Sequence, residues 1–253
     1  MSKTSTRVQE IKTALRDGGS RERAQGVQWF FKDEIRSHGW RTADLRRFAR
    51  KASREILQAE GMATLLRTAD QLFTGDVLEE KIFAVLLLEN SVAKFGAREF
   101  RLFESWLDRV SSWADHDGLV HYLIGPMVAA DHRRTARALR WTRSKNRWRR
   151  RAAAVSLIRA ARQKMFFPEI VRATEALLAD QDDMVQKGLG WLLREAAKAD
   201  PGTTVPYLLR IRDRAPRLVL RTACETLPVA TRARVLSRMS SFASRRRAED
   251  LTK

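Results

Sequence analysis

Cysteine, proline and glycine are scarce: one Cys (Cys224), six Pro and twelve Gly in 253 residues. A single cysteine excludes an internal disulfide framework and a cysteine-rich zinc site. So few turn formers argue against a many-stranded β protein. No apolar run is long enough to cross a bilayer, and no hydrophobic segment opens the chain as a secretion signal, so a cytoplasmic protein is expected. Acidic residues are also outnumbered, 30 against 49 basic ones, for a net charge of +19. Of the basic residues 38 are Arg and 11 Lys, a skew that GC-rich coding can explain by itself. The net charge is harder to dismiss. Self-repulsion of that size opposes compaction unless a polyanion is the partner, and nucleic acid is the first candidate, with an acidic membrane surface or general solubility as the alternatives.

What fills the chain is helix-forming: 44% of residues are hydrophobic, enough for a sizeable core, with Ala, Leu, Arg and Glu prominent. Apolar residues recur with period 3.6 almost without interruption. The pattern predicts helices near 5–16, 21–37, 43–59, 61–73, 76–94, 98–110, 117–130, 131–142, 147–164, 167–180, 183–198, 202–213 and 216–243, the last broken near Pro228. Breaks fall at Gly18-Gly19, His38-Gly39, Gly75-Asp76, Asp131 and Pro168. Helix pairs joined by short turns predict an all-α fold, an α-solenoid of HEAT-like helical repeats with a concave basic groove. No repeated sequence word accompanies it. One domain is expected over residues 1–240, with a basic, frayed tail over 241–253.

Three segments stand out chemically. Between Arg133 and Arg151 ten basic residues follow one another with no acid among them, and Trp141 and Trp148 are interleaved. Asn146 reads as an N-cap, which puts Arg147 to Arg151 in a helix's first turn, where cations oppose the helix dipole. An external phosphate at that end would make the arrangement favourable; a solvated basic face is the plainer reading. On the helix from Val185, the residues Val185, Leu189, Leu192 and Ala196 share one face, and Lys187, Trp191, Arg194 and Lys198 the other. Trp191 there either packs on a neighbouring repeat or offers a plate to a nucleotide. Gly188 and Gly190 would admit a backbone or a ligand at close range. Lastly, Trp113 and Asp117 are four residues apart, so an indole and a carboxylate converge if the segment is helical; alternatively Asp117 caps a helix beginning at Gly118. His116 and His121 do not make a metal site with so few ligands nearby.

With these residues assembled, the chain resembles the AlkD-type family of HEAT-like alkylpurine DNA glycosylases. Trp113 followed four residues later by Asp117 is similar to one of its motifs. Gly190-Trp191-Leu192-Leu193-Arg194-Glu195-Ala196-Ala197-Lys198 looks like its helix with a second catalytic Trp, and Trp148-Arg149-Arg150-Arg151-Ala152-Ala153 like the opening of a DNA-facing helix. Gly39-Trp40-Arg41-Thr42 with Arg46 is a weaker match to its N-terminal repeat. The Arg-rich stretch and Ala114-Asp115 depart from the better-known members, which bears on substrate range. The resemblance implies a monofunctional glycosylase that hydrolyses the N-glycosidic bond of cationic N3- or N7-alkylated purines in duplex DNA, with Asp117, Trp113 and Trp191 as catalytic residues. It implies DNA contacts by Arg151, Thr42, Arg46, Arg147, Lys187, Arg194 and Arg221, with no cofactor and no metal. A monomer is expected, acting on nucleoid DNA of a bacterial cell in base excision repair or in resistance to an alkylating agent. Bulky adducts would be admissible in a groove that has no deep pocket. Two other readings are a non-catalytic repeat protein for bent, branched or damaged DNA, and a solenoid for protein partners.

Overall fold

The computed structural model describes residues 3–237; the expected frayed tail lies outside the described residues. Among these the fold is all-α, and the only extended pairing is an isolated bridge between Arg36 and Val77. No described helix is long and apolar enough to cross a membrane. The chain divides into two compact units, residues 1–134 and 135–253. Within each, helices pack mainly on neighbours close in sequence, the solenoid-like pattern.

The first unit begins with α1 (Lys3–Asp17) and α2 (Arg21–Gln28). The Gly18-Gly19 break between them is steric as well as conformational. A Cβ on Gly18 would lie 2.4 Å from the Trp40 indole, and one on Gly19 would lie 2.2 Å from the His38 carbonyl oxygen. The Trp40 Nε1–H donates to the Leu15 carbonyl at 2.6 Å. The helix expected to reach residue 37 stops at Gln28. No residue of α2 is buried, so packing does not extend it, and side chains capture the backbone that follows. Gln28 accepts from the Ile35 N–H and donates to the Asp33 carbonyl, both at 2.9 Å. Buried Glu79 accepts from the N–H groups of His38, Gly39 and Trp40. Gly39 takes φ +76°, open to glycine at no steric cost.

Next come α3 (Thr42–Ala59), α4 (Gly61–Phe73) and α5 (Leu78–Leu88), the last continued by a 3₁₀ segment, Glu89–Lys94. Ten of the eleven residues of α5 are buried, as suits a helix that packs against α3, α4 and further elements. After α6 (Ala97–Trp106) the stacked rings of Phe73 and Trp106, 4.4 Å apart, fill the core. Then follow α7 (Trp113–Leu119), a π turn (Val120–Ile124), α8 (Gly125–Ala130) and α9 (Arg133–Arg140), which runs across the unit boundary. The expected helix 117–130 therefore starts four residues early and carries a π turn.

In the second unit a 3₁₀ turn (Trp141–Arg143) leads to α10 (Arg147–Val155), α11 (Ile158–Arg162), α12 (Phe167–Leu177), α13 (Asp183–Ala199), α14 (Pro201–Ile211), α15 (Arg217–Ala223) and α16 (Val229–Leu236). The single helix expected over 147–164 is two, and the last breaks at Pro228 as its sequence predicts. Helix α13 is central, meeting α10, α11, α12, α14 and α15. Small residues bring it close: Ala152, Ala153 and Ala154 of α10 are fully buried. A Cβ on Gly188 would lie 2.9 Å from the Arg151 side chain, and one on Gly190 would lie 2.6 Å from Thr222. What approaches these glycines is thus a neighbouring helix of the same unit.

A buried ion pair fixes the start of α7. Lys81 and Asp115, with side chains 4% and 0% exposed, lie 3.4 Å apart. Asp115 also accepts from the N–H groups of Ser111 (3.0 Å) and Ser112 (2.7 Å), and Lys81 donates to the Ser111 hydroxyl (3.0 Å). Removing one member leaves the other charge buried without its counter-ion, which costs about 3–5 kcal/mol. Asp115→Ala should lose that much in urea unfolding. The double substitution Lys81→Met/Asp115→Ala should lose less than Asp115→Ala alone, since neither charge then remains unpaired.

Candidate nucleic-acid interface and catalytic carboxylate

Helix α7 opens with a capping box: Ser112 accepts from the Asp115 N–H while the Asp115 carboxylate accepts from the Ser112 N–H. Ser112 is therefore the N-cap, and the alternative in which Asp117 caps a helix starting at Gly118 is overturned. Asp117 sits inside the helix, one turn after Trp113, so the two side chains emerge on the same side. Trp113, the first helical residue, is 38% exposed. Its ring stacks on Phe31 with centroids 5.1 Å apart and planes 16° from parallel, and its Nε1–H donates to the Phe30 carbonyl at 3.4 Å. The Asp117 carboxylate, partly exposed, lies 2.7 Å from Nδ1 of fully buried His116. With Nδ1 protonated the imidazole donates to the carboxylate and holds its rotamer. The π turn follows Asp117 within three residues, a rare backbone form often found at functional sites.

On α3, Thr42 is exposed at the helix start, after Arg41, which supplies no side-chain cap. Arg46 forms an ion pair with Glu89, donates to the Tyr122 hydroxyl at 3.1 Å and lies over that ring at 5.0 Å. Burial disfavours its charge, but Glu89 and, less strongly, Tyr122 together outweigh it and raise its pKa.

In the second unit Asn146 does cap α10, accepting from the Trp148 N–H at 2.8 Å. The arginines beyond it are not waiting for a phosphate. Arg147 donates to Asp182 (3.0 Å) and Asp183 (3.3 Å), and lies over the Trp148 ring. Arg150 donates to Asp180 at 2.6 Å, and buried Arg151 donates to the Met184 carbonyl. The acids come from the start of α13, where Asp182 is the N-cap and negative charge is favoured. One helix N-terminus supplies the anions that the other lacks, so the external phosphate inferred from the dipole is not required.

Helix α13 has the two faces its periodicity predicts. Val185, Leu189, Leu192 and Ala196 are buried, Lys187, Trp191 and Arg194 half-buried and Lys198 exposed. Lys187 pairs with Asp183 at 3.3 Å and Arg194 with Glu225. Arg221 on α15 is exposed. Glu195, 5% exposed in its side chain, is the hub: Arg162 at 2.8 Å, Arg194 at 3.5 Å and Lys198 at 3.6 Å surround it. Sequence reasoning gave no role to Glu195, Phe31 or the Asp180–Asp183 acids, and weighed His116 only as a metal ligand. The adjacency of His116 to Asp117 in the chain was the available signal for their contact; Arg162, Asp180 and Phe31 act across 30 or more residues, where no local pattern speaks. Among the described residues no group of His, Cys, Asp and Glu is placed to hold a metal ion.

Burial alone would raise the pKa of Glu195; Arg162, Lys198 and Arg194 outweigh it and the net shift is downward. A carboxylate whose pKa falls on folding stabilises the fold above its unfolded pKa, about 4.3. That stability is lost as pH drops through the folded value. Glu195→Gln should cost about 1–3 kcal/mol at pH 7 and should flatten the decline of stability below pH ~4.3 in urea melts run at several pH values.

The family model described as "DNA alkylation repair enzyme" matches residues 11–227. Among solved structures, a predicted DNA alkylation repair enzyme from Enterococcus faecalis is similar in fold, with a TM-score of 0.74 and 17% sequence identity over 83% of this chain and 97% of that one. No curated protein matches the chain.

Proposed function

The chain belongs to the DNA alkylation repair enzyme family, and we propose that it is a monofunctional DNA glycosylase releasing cationic N3- or N7-alkylated purines from duplex DNA. The observation that carries this reading is the pairing of Trp113 and Asp117 on one outward side of α7. A purine alkylated at N3 or N7 is already positively charged, so its departure needs no general acid. As the C1′–N bond breaks, its electron pair neutralises the leaving base and positive charge develops on the deoxyribose. The Asp117 carboxylate is proposed to stabilise that oxocarbenium character, and the Trp113 ring to add cation–π stabilisation. Water adds to C1′ and loses a proton, leaving an abasic site. Trp191 is proposed as a further aromatic contact to DNA.

Phosphate contacts are proposed for Thr42, Arg46, Arg147, Lys187, Arg194 and Arg221; Arg151, expected to make one, is buried and donates to the Met184 carbonyl instead. Several of these cations already have carboxylate partners. For them a phosphate replaces one anion by another, and fewer counterions are released than the charge count suggests. Arg221→Ala should therefore reduce the slope of log K against log salt by about one. Arg150→Ala, which removes an arginine tied to Asp180, should leave the slope unchanged. Fluorescence anisotropy over a salt series reads both.

A second reading uses the same carboxylate structurally, since Asp117 is bonded to buried His116: the chain then binds damaged DNA without cutting the glycosidic bond. Base release from methylated DNA by the wild type and by Asp117→Asn separates the two. On the enzymatic reading the variant still binds DNA and releases base at least about tenfold more slowly, a barrier increase of about 1.4 kcal/mol. Equal rates would remove Asp117 from the mechanism.

A further inference from the structure

Of the seven tryptophans, the two classed as exposed are Trp29 and Trp113, and they lie at one junction. Trp29 is 90% exposed and its neighbour Phe30 75% exposed. Both project from the loop after α2, whose third aromatic, Phe31, turns inward and stacks on Trp113. The loop is built to present them. Its backbone turns on bonds from the Phe30 N–H to the Val27 carbonyl (3.1 Å) and from the Phe31 N–H to the Gln28 carbonyl (3.0 Å). The Gln28 side chain closes it on Asp33 and Ile35, and the Phe30 carbonyl accepts from the Trp113 indole. Two large apolar side chains thus stand in water on a hydrogen-bonded loop joined to the proposed catalytic helix.

We propose that Trp29 and Phe30 form an aromatic wedge that stacks on nucleobases of a duplex opened beside the lesion. This rests on the reading that alkylated DNA is seated against Trp113. Three observations select this occupant. The rings stand on the loop whose Phe31 stacks on Trp113 and whose Phe30 carbonyl accepts from that indole, so a duplex meeting Trp113 would lie beside them. Arg41 and Arg47, exposed where this loop leads into α3, suit an anionic backbone. A second copy of the chain would set one surface of a +19 protein against another, which repulsion opposes. Ring faces stack on any base and apolar wedges enter where base steps are already loosened. The wedge therefore favours damaged or distorted DNA over intact duplex without reading sequence.

The test measures binding, independently of base release, on two duplexes of one sequence: one fully paired and one with a tetrahydrofuran abasic-site analogue. Trp29→Ala/Phe30→Ala should bind the abasic duplex at least about tenfold more weakly and the paired duplex with a smaller loss. Its salt slope should match the wild type, because no phosphate contact is removed. Trp29→Phe should retain most of the affinity, and the thermal midpoint of the double variant should not fall, since the rings cover no core. Equal affinity of wild type and double variant for the abasic duplex overturns the wedge while leaving the glycosylase reading intact. A reduced salt slope overturns it as well. So does unchanged DNA binding together with loss of adsorption to phosphatidylglycerol vesicles, or of self-association in sedimentation, which would assign the rings to lipid or to a second copy. A wild type that binds neither duplex ends both proposals, and one that binds both but releases no methylated base ends only the glycosylase reading.

Discussion

A chain with nineteen surplus positive charges forms a dense helical core only where the cations closest to it meet carboxylates. Several ion pairs share one polarity. Glu89 is 9% exposed against 26% for Arg46, Asp180 10% against 21% for Arg150, and Glu195 5% against 44% for Arg162. The acids point inward, desolvated and surrounded by donors, while the guanidinium groups lie towards the surface. Burying a short carboxylate under a long arginine costs less than the reverse, because the arginine's stem covers apolar surface while its head stays wet. In these pairs the buried charge is balanced and the surplus stays at the surface; buried Arg151 differs in donating to the Met184 carbonyl.

That polarity explains what the sequence did and did not reveal. Helix positions follow from local periodicity and were legible: α4 begins and ends at the expected residues, and α13 differs by one residue at its end. Errors arose where side chains compete for backbone over distance. Gln28 and Glu79 hold residues 28–40 in a loop although nothing before the break at His38-Gly39 interrupts a helical pattern. At α7 the residue that looked like a cap, Asp117, is preceded by a better one, Ser112, whose partner Asp115 is itself held by Lys81 from α5. The run of arginines from residue 133 has no acid in it, so the sequence suggested an external anion. The answering acids Asp180, Asp182 and Asp183 come from a helix some thirty residues further on.

The candidate site was legible as residue types but not as an arrangement. A tryptophan and an aspartate four apart is a weak signal, because on the proposed reaction very little machinery is needed. The leaving base carries its own charge, so no acid, metal ligand set or nucleophile has to appear in the sequence. What the fold adds is restraint. Phe31 fixes the plane of Trp113, and His116 fixes the carboxylate of Asp117. Both act through packing that a linear motif cannot express.

Paired arginines also change how such a protein would tell a lesion from the excess of normal DNA around it. Phosphates are the same in both, so electrostatic attraction raises affinity for all duplexes alike and supplies no discrimination. On the proposed phosphate contacts, an arginine would first have to give up Asp182 or Glu225, which would moderate even that attraction and spare tight binding at undamaged sites. On the proposed reading, discrimination would then fall to contacts that exist only when the helix is distorted: rings that stack on unstacked bases, and a carboxylate that gains most as positive charge grows on the sugar. On the face that carries Trp113 and Asp117, selectivity would lie in the few apolar groups among many charges.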